Sequence, residues 1–457
     1  MKRKLLYSIV PGFVLILIFA ACLPAGMPTA SSPNTLETIV AATLTAVSAN
    51  APEQLPAETS APEPAFTPPR ALQVAYIKNG NVYVWTEGEG SVGLTNSGNA
   101  SSVDISDDGQ VIAYVRQDQG NFVIQEIWAV NTSGPSNDRL LVSSADFAAL
   151  KASSPYPDAE GMGPDFITWK PRTHLLAYST VPMFMGPGYA PGEDLRLVHA
   201  DTLEKTTIFE FGAGGHFYFS PDGRQVALSK PESISLANAD GSNLRANVLT
   251  FPLVGTYSEY QYRPRPHWAS DSSALRVAIP PADTLATPTP PTSLWSIPAD
   301  GSPATRLGEI LAIPFAWPDT AFSPNLDRVA YVKSIGEPAE NRRELHLANP
   351  DGTGDVIYTT DISVEFLHWT PDGSRFVYVI HDGPNRGIYL GSMGGTASTI
   401  TTAPNTTTQI RWVDQSRFLF LYNNNGIWEL RISDVDGSNH AFIDTIPDSY
   451  ATYDFTK

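Results

Sequence analysis

Three histidines stand at matching places in a recurring pattern. His267 and His368 each come directly before a tryptophan, and His216 lies two residues ahead of the equivalent position in its own segment. Neutral imidazole is a common ligand of divalent metals, and three could hold one ion. Satisfied structural histidines are the other reading. A second group is aromatic and cationic: Tyr257, Tyr260, Tyr262, Arg263 and Arg265 lead into His267, and Met183, Phe184, Met185 and Tyr189 gather in another stretch. Tyr and Arg are favoured at binding hot spots, and Met suits adaptable apolar contact. The same side chains could instead pin long loops to the body. Asp434, Asp436 and Asn439 faintly suggest a Ca²⁺ loop without its full spacing, so turn chemistry explains them better. The chain has no G-x-S-x-G elbow, HExxH or P-loop. No catalytic residue and no cofactor is therefore assigned.

Cys22 is the single cysteine, so an internal disulfide is excluded. It follows a basic start (Lys2-Arg3-Lys4), an apolar run from Leu5 to Ala20, and the small pair Ala20-Ala21. That order reads as an export signal. The site resembles a lipobox, which implies diacylation of the Cys22 thiol and removal of residues 1–21. An uncleaved membrane anchor is the alternative. Either places the bulk of the chain outside the cytoplasm, held to a membrane through its N-terminal anchor.

Residues 22–71 are rich in Pro, Ala, Thr, Ser and Glu and read as a tether. Within it, Asn34 and Glu37 look like a capping box opening a short helix near 35–49, read as part of a spacer. The chain carries 29 basic and 47 acidic residues, net −18, and −21 once residues 1–21 are gone. Such a balance repels phosphate backbones, so nucleic acid is excluded as a partner.

What must position these groups is a repeat. Phe219-Ser220-Pro221-Asp222-Gly223 returns as Trp369-Thr370-Pro371-Asp372-Gly373, and in degraded form at Ile105-Ser106-Asp107-Asp108-Gly109 and Phe322-Ser323-Pro324-Asn325. Weaker copies begin at Trp169, Trp268 and Trp412, giving separations of 64, 50, 49, 54, 47 and 43 residues. That period suits one four-stranded propeller blade. The aromatic ends an inner strand, Pro-Asp-Gly turns the chain, and the apolar run that follows is buried on both faces. A second turn, Asn238–Ser242, is echoed at 298–302, 349–353 and 434–438.

These motifs resemble the SPDG repeats of TolB-like (WD40-like) β-propellers, and the resemblance spans residues 72–457. It implies an all-β propeller. Seven repeats plus split end strands, Leu72–Thr95 and Tyr450–Phe455, predict eight four-stranded blades, with seven as the alternative. The C-terminal strand is expected to pair with the N-terminal blade and so close the ring. The SPDG motif recurs in prolyl-oligopeptidase propellers, whose separate α/β domain is missing here. Propellers host many functions.

With strands running A to D from the axis outward, the A–B and C–D turns share one face, where they are short. Length goes to the other face, into 181–194, 280–293, 333–343, 144–165 and 251–266. Loops that long are commonly functional. This long-loop face is the expected working face; 280–293, nearly all Pro, Thr and Ala, reads as a passive excursion. The favoured function is a non-catalytic scaffold for a protein or cell-envelope glycan. The alternative is an enzyme acting on polysaccharide, with metal or carboxylates at the axis.

Overall fold

The computed structural model describes residues 71–456, apart from 136–137, 187–188, 259, 313–319, 338–339, 383–384, 402–407, 438 and 448–450. Cys22, the tether and the helix expected near 35–49 lie outside the described residues. Thirty-two strands form eight four-stranded antiparallel sheets. Seven of them follow chain order. Their inner strands are Ala100–Ile105, Gly161–Trp169, His216–Phe219, His267–Trp268, Thr320–Phe322, Val364–Trp369 and Thr408–Trp412 (blades 2 to 8). Each ends on the residue that opens a repeat. Blade 1 is composite: Gln73–Lys78, Asn81–Thr86 and Gly90–Gly93 take their inner strand from Tyr453–Phe455. Eight blades are present, not seven.

The core shows that the blades form a ring. Buried apolar residues fall into eight clusters, and each joins two sequential blades. The eighth unites Leu419, Leu421 and Leu430 of the last blade with Val74, Tyr76 and Phe455 of the first. A sheet with apolar residues on both faces needs a neighbour on each side, and a circle supplies one to every blade.

The repeated turn has a specific chemistry. Ser220 Oγ donates to Asp222 Oδ1 (2.6 Å) and accepts from Gln225 N–H (3.0 Å). Thr370 with Asp372 and Arg375, and Ser106 with Asp108 and Val111, repeat the arrangement. Gly223 and Gly373 have φ of 71° and 70°, the left-handed turn that glycine adopts without strain. Ring closure copies this turn across two chain ends. Thr456 follows Phe455 as Thr370 follows Trp369, and Thr456 Oγ1 accepts from Gln73 N–H at 3.1 Å. The Thr456 N–H donates to Gln73 O at 3.1 Å, as Thr370 N–H donates to Arg375 O at 2.8 Å. The C-terminal strand thus docks in register as an eighth repeat.

Adjacent blades are also stitched near the axis. Asp104 Oδ2 accepts from Trp169 N–H (2.8 Å), and the Trp169 indole donates to Asp104 O (3.0 Å). Asp454 Oδ2 accepts from Ile105 N–H (3.0 Å) and Oδ1 from Arg411 Nη2 (2.6 Å), while the Arg411 guanidinium lies 4.8 Å from the Phe455 ring centroid.

Three loop expectations change. The 333–343 segment is shortened at both ends by ladder, with Lys333, Ser334 and Ile335 paired to Glu344, Arg343 and Arg342. The pleat simply continues past the sheet. The 144–165 connection holds a helix, Ser144–Ser153, with Ser143 and Asp146 capping each other and Phe147 buried between blades 2 and 3. The 280–293 loop is a brace and not a passive excursion. Thr284 is buried and donates to Gly255 O (2.7 Å), and Gly255 N–H donates to Ala282 O (2.8 Å). Elaboration among the described residues therefore concentrates over blades 2 to 5.

Candidate functional site at the propeller axis

Two cavities lie along the axis. The larger, about 770 Å³, is walled by inner strands of blades 1 to 5 and includes Asp104, Trp169, Phe217, Tyr218, Arg265 and His267. The smaller, about 380 Å³, sits where inner strands begin, on the long-loop side, and includes Ser101, Gln125, Asp165, Gln409 and Tyr453. Phe166 lines both, is half exposed, and packs on Phe217 with centroids 5.5 Å apart. An apolar wall with a few convergent polar groups is the usual form of a ligand site.

Beside the smaller cavity is a buried polar chain. The Tyr189 hydroxyl donates to Asp165 Oδ2 (2.7 Å) and lies 3.1 Å from His216 Nε2. Burial pushes the Asp165 carboxyl above the usual carboxylate range, against the lowering effect of the Tyr189 hydrogen bond. Burial, aided by the Arg263 charge, brings His216 down to about 4. A neutral His216 carrying its proton on Nε2 donates to Tyr189, which in turn donates to Asp165. If Asp165 takes up a proton and neutral His216 carries its own on Nδ1, both bonds run the other way. Arg263 is buried and donates to Glu193 Oε1 at 2.7 Å, fixing the 251–266 connection to the blade 3 loop. The structure thus turns Arg263 and Tyr189 inward as a network. No motif or spacing singles out Asp165, which lies on the strand Gly161–Trp169 in place of the expected loop.

The remaining sequence candidates separate into two sets. Tyr262 is buried, and burial raises its hydroxyl pKa. Met183 ends a strand, paired with Gly161. His267 packs edge-on against Phe322 of the next blade, 5.9 Å between centroids, and burial followed by the Arg265 charge holds it down to about 4. Phe184 meets Tyr156 edge-on at 6.4 Å yet stays exposed. Met185, Tyr257 and Tyr260 are open to solvent at 78%, 65% and 49%. Tyr257 donates to Asp283 Oδ1 at 2.5 Å, so the brace loop orients it. Arg265 is exposed into the larger cavity.

His216, His267 and His368 are not brought together. Among the described residues no group of three His, Cys, Asp or Glu side chains could hold a metal ion. The three histidines sit on blades 4, 5 and 7, and the first two are engaged by Tyr189 and Phe322.

No protein-family model matches the chain, and no curated protein matches it. Among solved structures it is similar to an oligogalacturonate lyase in complex with manganese, at 17% identity, covering 60% of this chain and 74% of that one, with a TM-score of 0.43. It is similar to a prolyl endopeptidase at 10% identity, covering 78% of this chain and 50% of that one, with a TM-score of 0.46. It therefore spans about half the endopeptidase's length. TolB from Acinetobacter baumannii is similar at 12% identity over 71% of this chain and 62% of that one, with a TM-score of 0.32. At these levels no activity carries across, and the narrower kinship to TolB stays a resemblance.

Proposed function

We propose that the chain is a lipid-anchored, extracytoplasmic binding module that takes a cell-envelope glycan fragment at the long-loop face and the axial mouth beneath it. One observation carries this reading: exposed aromatic and apolar side chains gather over blades 2 to 5, around the smaller cavity, which offers amide, hydroxyl and carboxyl groups. Phe122, Phe184, Met185, Tyr257 and Leu285 belong to that rim, and Gln125, Gln409 and Asp165 to the mouth. Aromatic faces cover the apolar side of a sugar ring, and amides and carboxylates exchange hydrogen bonds with its hydroxyls.

Gln73–Lys78 is the second strand of its blade and Tyr453–Phe455 the first, so both propeller ends emerge on the short-turn face, opposite the long loops.

The test is co-sedimentation of the full-length chain, in detergent, with purified peptidoglycan. Retention is expected, and Tyr257→Ala with Met185→Ser should reduce it about tenfold. Retention unaffected by those changes, or no retention, would overturn the reading; a protein ligand is the outcome that no retention would favour.

A second reading, an enzyme acting on polysaccharide, draws on the Asp165–Tyr189–His216 chain. A carboxyl held above its usual range at a cavity is suited to general acid work. Turnover of a polysaccharide by the chain, abolished in Asp165→Asn, would replace the binding reading.

A further inference from the structure

We infer that the larger axial cavity is built to receive the carboxylate of a small ligand, gripped by Arg265. The cavity is lined by the A–B turn residues Asp107, Pro171, Arg172, Ser220 and Pro221, so it opens toward the short-turn end of the axis, and this inference goes beyond the long-loop reading above.

The charges of the cavity are sorted by side. On the wall of blades 1 and 2, the carboxylates are already in use. Asp454 is bonded to Arg411 and to Ile105 N–H, Asp104 to Trp169 N–H, and Asp107 to Arg172 N–H at 2.7 Å. They hold blades together. On the wall of blades 4 and 5 the one charged group is Arg265, and no carboxylate among the described residues pairs with it, although the chain has 18 more acids than bases. Arg263, two residues earlier, does have such a partner in Glu193. The difference is positional: Arg263 turns into the loop network, and Arg265 turns to the axis.

The surroundings register an unneutralised cation. After burial, the Arg265 charge is the next influence depressing His267, and it also acts on His216 and, behind Arg411, on His368. With these imidazoles neutral, the other cation of the lining is Arg172 of blade 3, which is exposed. Tyr218 lines the same wall as Arg265, where the nearby Arg265 charge works against the effect of burial on its hydroxyl. Around this pair lie Phe166, Phe217 and Trp169, an apolar floor for the rest of a ligand.

A guanidinium fork matches the two oxygens of a carboxylate, and in a partly water-excluded site the pairing is stronger than in bulk solvent. The Arg265 fork offers a donor set for one carboxylate, and Arg172 adds to the positive charge of the same lining. About 770 Å³ accommodates three or four sugar or amino-acid units. The carboxylate could come from a uronic sugar or from the C-terminus of a short peptide, and the chemistry read by Arg265 is the same.

Calorimetric titration of the full-length chain in detergent would use two matched pairs. One is β-1,4-linked triglucuronate beside cellotriose; the other is N-acetyl-trialanine beside its amide. At least one acidic member should bind tenfold or more tightly than its neutral counterpart, and the pair that discriminates identifies the source. In Arg265→Gln the acidic ligand should lose about tenfold in affinity while the neutral one is unchanged, with Arg265→Lys in between. Equal binding within both pairs, including no binding by any member, overturns the inference. So does discrimination that survives in Arg265→Gln. Circular dichroism and the thermal midpoint check that the variants are folded. Peptidoglycan retention with no charge discrimination would sink this inference and leave the binding reading standing.

Discussion

The two faces of the ring are made of the same eight blades and use their residues in opposite ways. On the short-turn face the polar side chains are satisfied locally, Ser220 by Asp222, Thr370 by Asp372, Asp240 by Ser242, Asp351 by Thr353. These carboxylates shape the backbone, and their density follows from the repeat. On the long-loop face the exposed groups are Phe122, Phe184, Met185, Tyr257 and Leu285, supported from below by the Asp165–Tyr189–His216 chain and the Glu193–Arg263 pair. One face spends its side chains on building the blade; the other displays them. Repetition marks the first and departure from repetition the second.

The largest expected effect comes from breaking the stitching on which both faces depend. Asp454 is buried and links three segments: its own closing strand, Ile105 of blade 2 and Arg411 of blade 8. Asp454→Ala takes a partner from the Arg411 charge and from a backbone N–H. Because Arg411 is 35% exposed and keeps its bond to Tyr453 O, the change should cost about 2–3 kcal/mol, the range for hydrogen bonds to charged groups. Urea unfolding measures it. A loss under about 1 kcal/mol would mean that strand pairing alone closes the ring.

The second prediction separates the faces by pH. His216 and His267, at the axis below the long loops, are held down to about 4 from an ordinary 6.5. Between these values the unfolded chain binds more protons than the folded one, so stability is full above about pH 6.5 and falls as pH drops toward 4. Each histidine contributes on the order of 2 kcal/mol to that fall, after allowance for partial solvation. The raised Asp165 carboxyl works the other way, adding stability below its folded pKa and losing it as pH rises. Asp240 and Asp351, bonded by Ser242 and Thr353, lie below the ordinary carboxylate value, so their contribution is lost only as pH falls below about 3.8. Denaturation midpoints at pH 7, 5.5 and 4.5 should decline steadily, and His216→Gln with His267→Gln should flatten the slope. An unchanged slope would show that other groups set the acid limit.

Much of this architecture is legible in the sequence because the short-turn face is repetitive. The aromatic, the turn and the apolar run define inner strands to the residue, and the split ends give the closure. The Thr456 mimic of the turn hydroxyl is visible only once Phe455 is recognised as the opening residue of the eighth repeat. The site is much less legible, and the reason is physical. Loop residues take their roles from long-range contacts that leave no period. Tyr262 and Tyr260 are two residues apart, one buried and the other exposed. Arg263 and Arg265 differ in the same way, and spacing alone could not tell a paired guanidinium from a free one. The helix of 144–153 had a readable signal in Ser143 and Asp146, three apart as a capping box requires. Asp165 had none.

The smallest effect tests the contrast most directly, since it sets one residue from each face side by side. Asp372 accepts from Thr370 Oγ1 (2.6 Å), Ser374 N–H (3.0 Å) and, at the exposed side, Ser374 Oγ (2.8 Å) in its turn. Asp372→Ala removes all three bonds and should cost about 1–2 kcal/mol, since the exposed ones are replaced by water. Peptidoglycan retention should not change. Met185, 78% exposed on the opposite face, touches little that a serine would not. Met185→Ser should shift stability by no more than about 0.5 kcal/mol, as surface changes generally do. Its retention should nevertheless fall, because the apolar surface it loses is surface that a ligand would cover. A destabilised Met185→Ser would mean that the rim packs the loops, as a wall and not as a contact surface. Weakened retention in Asp372→Ala, with the fold intact, would move the working face to the other end of the axis.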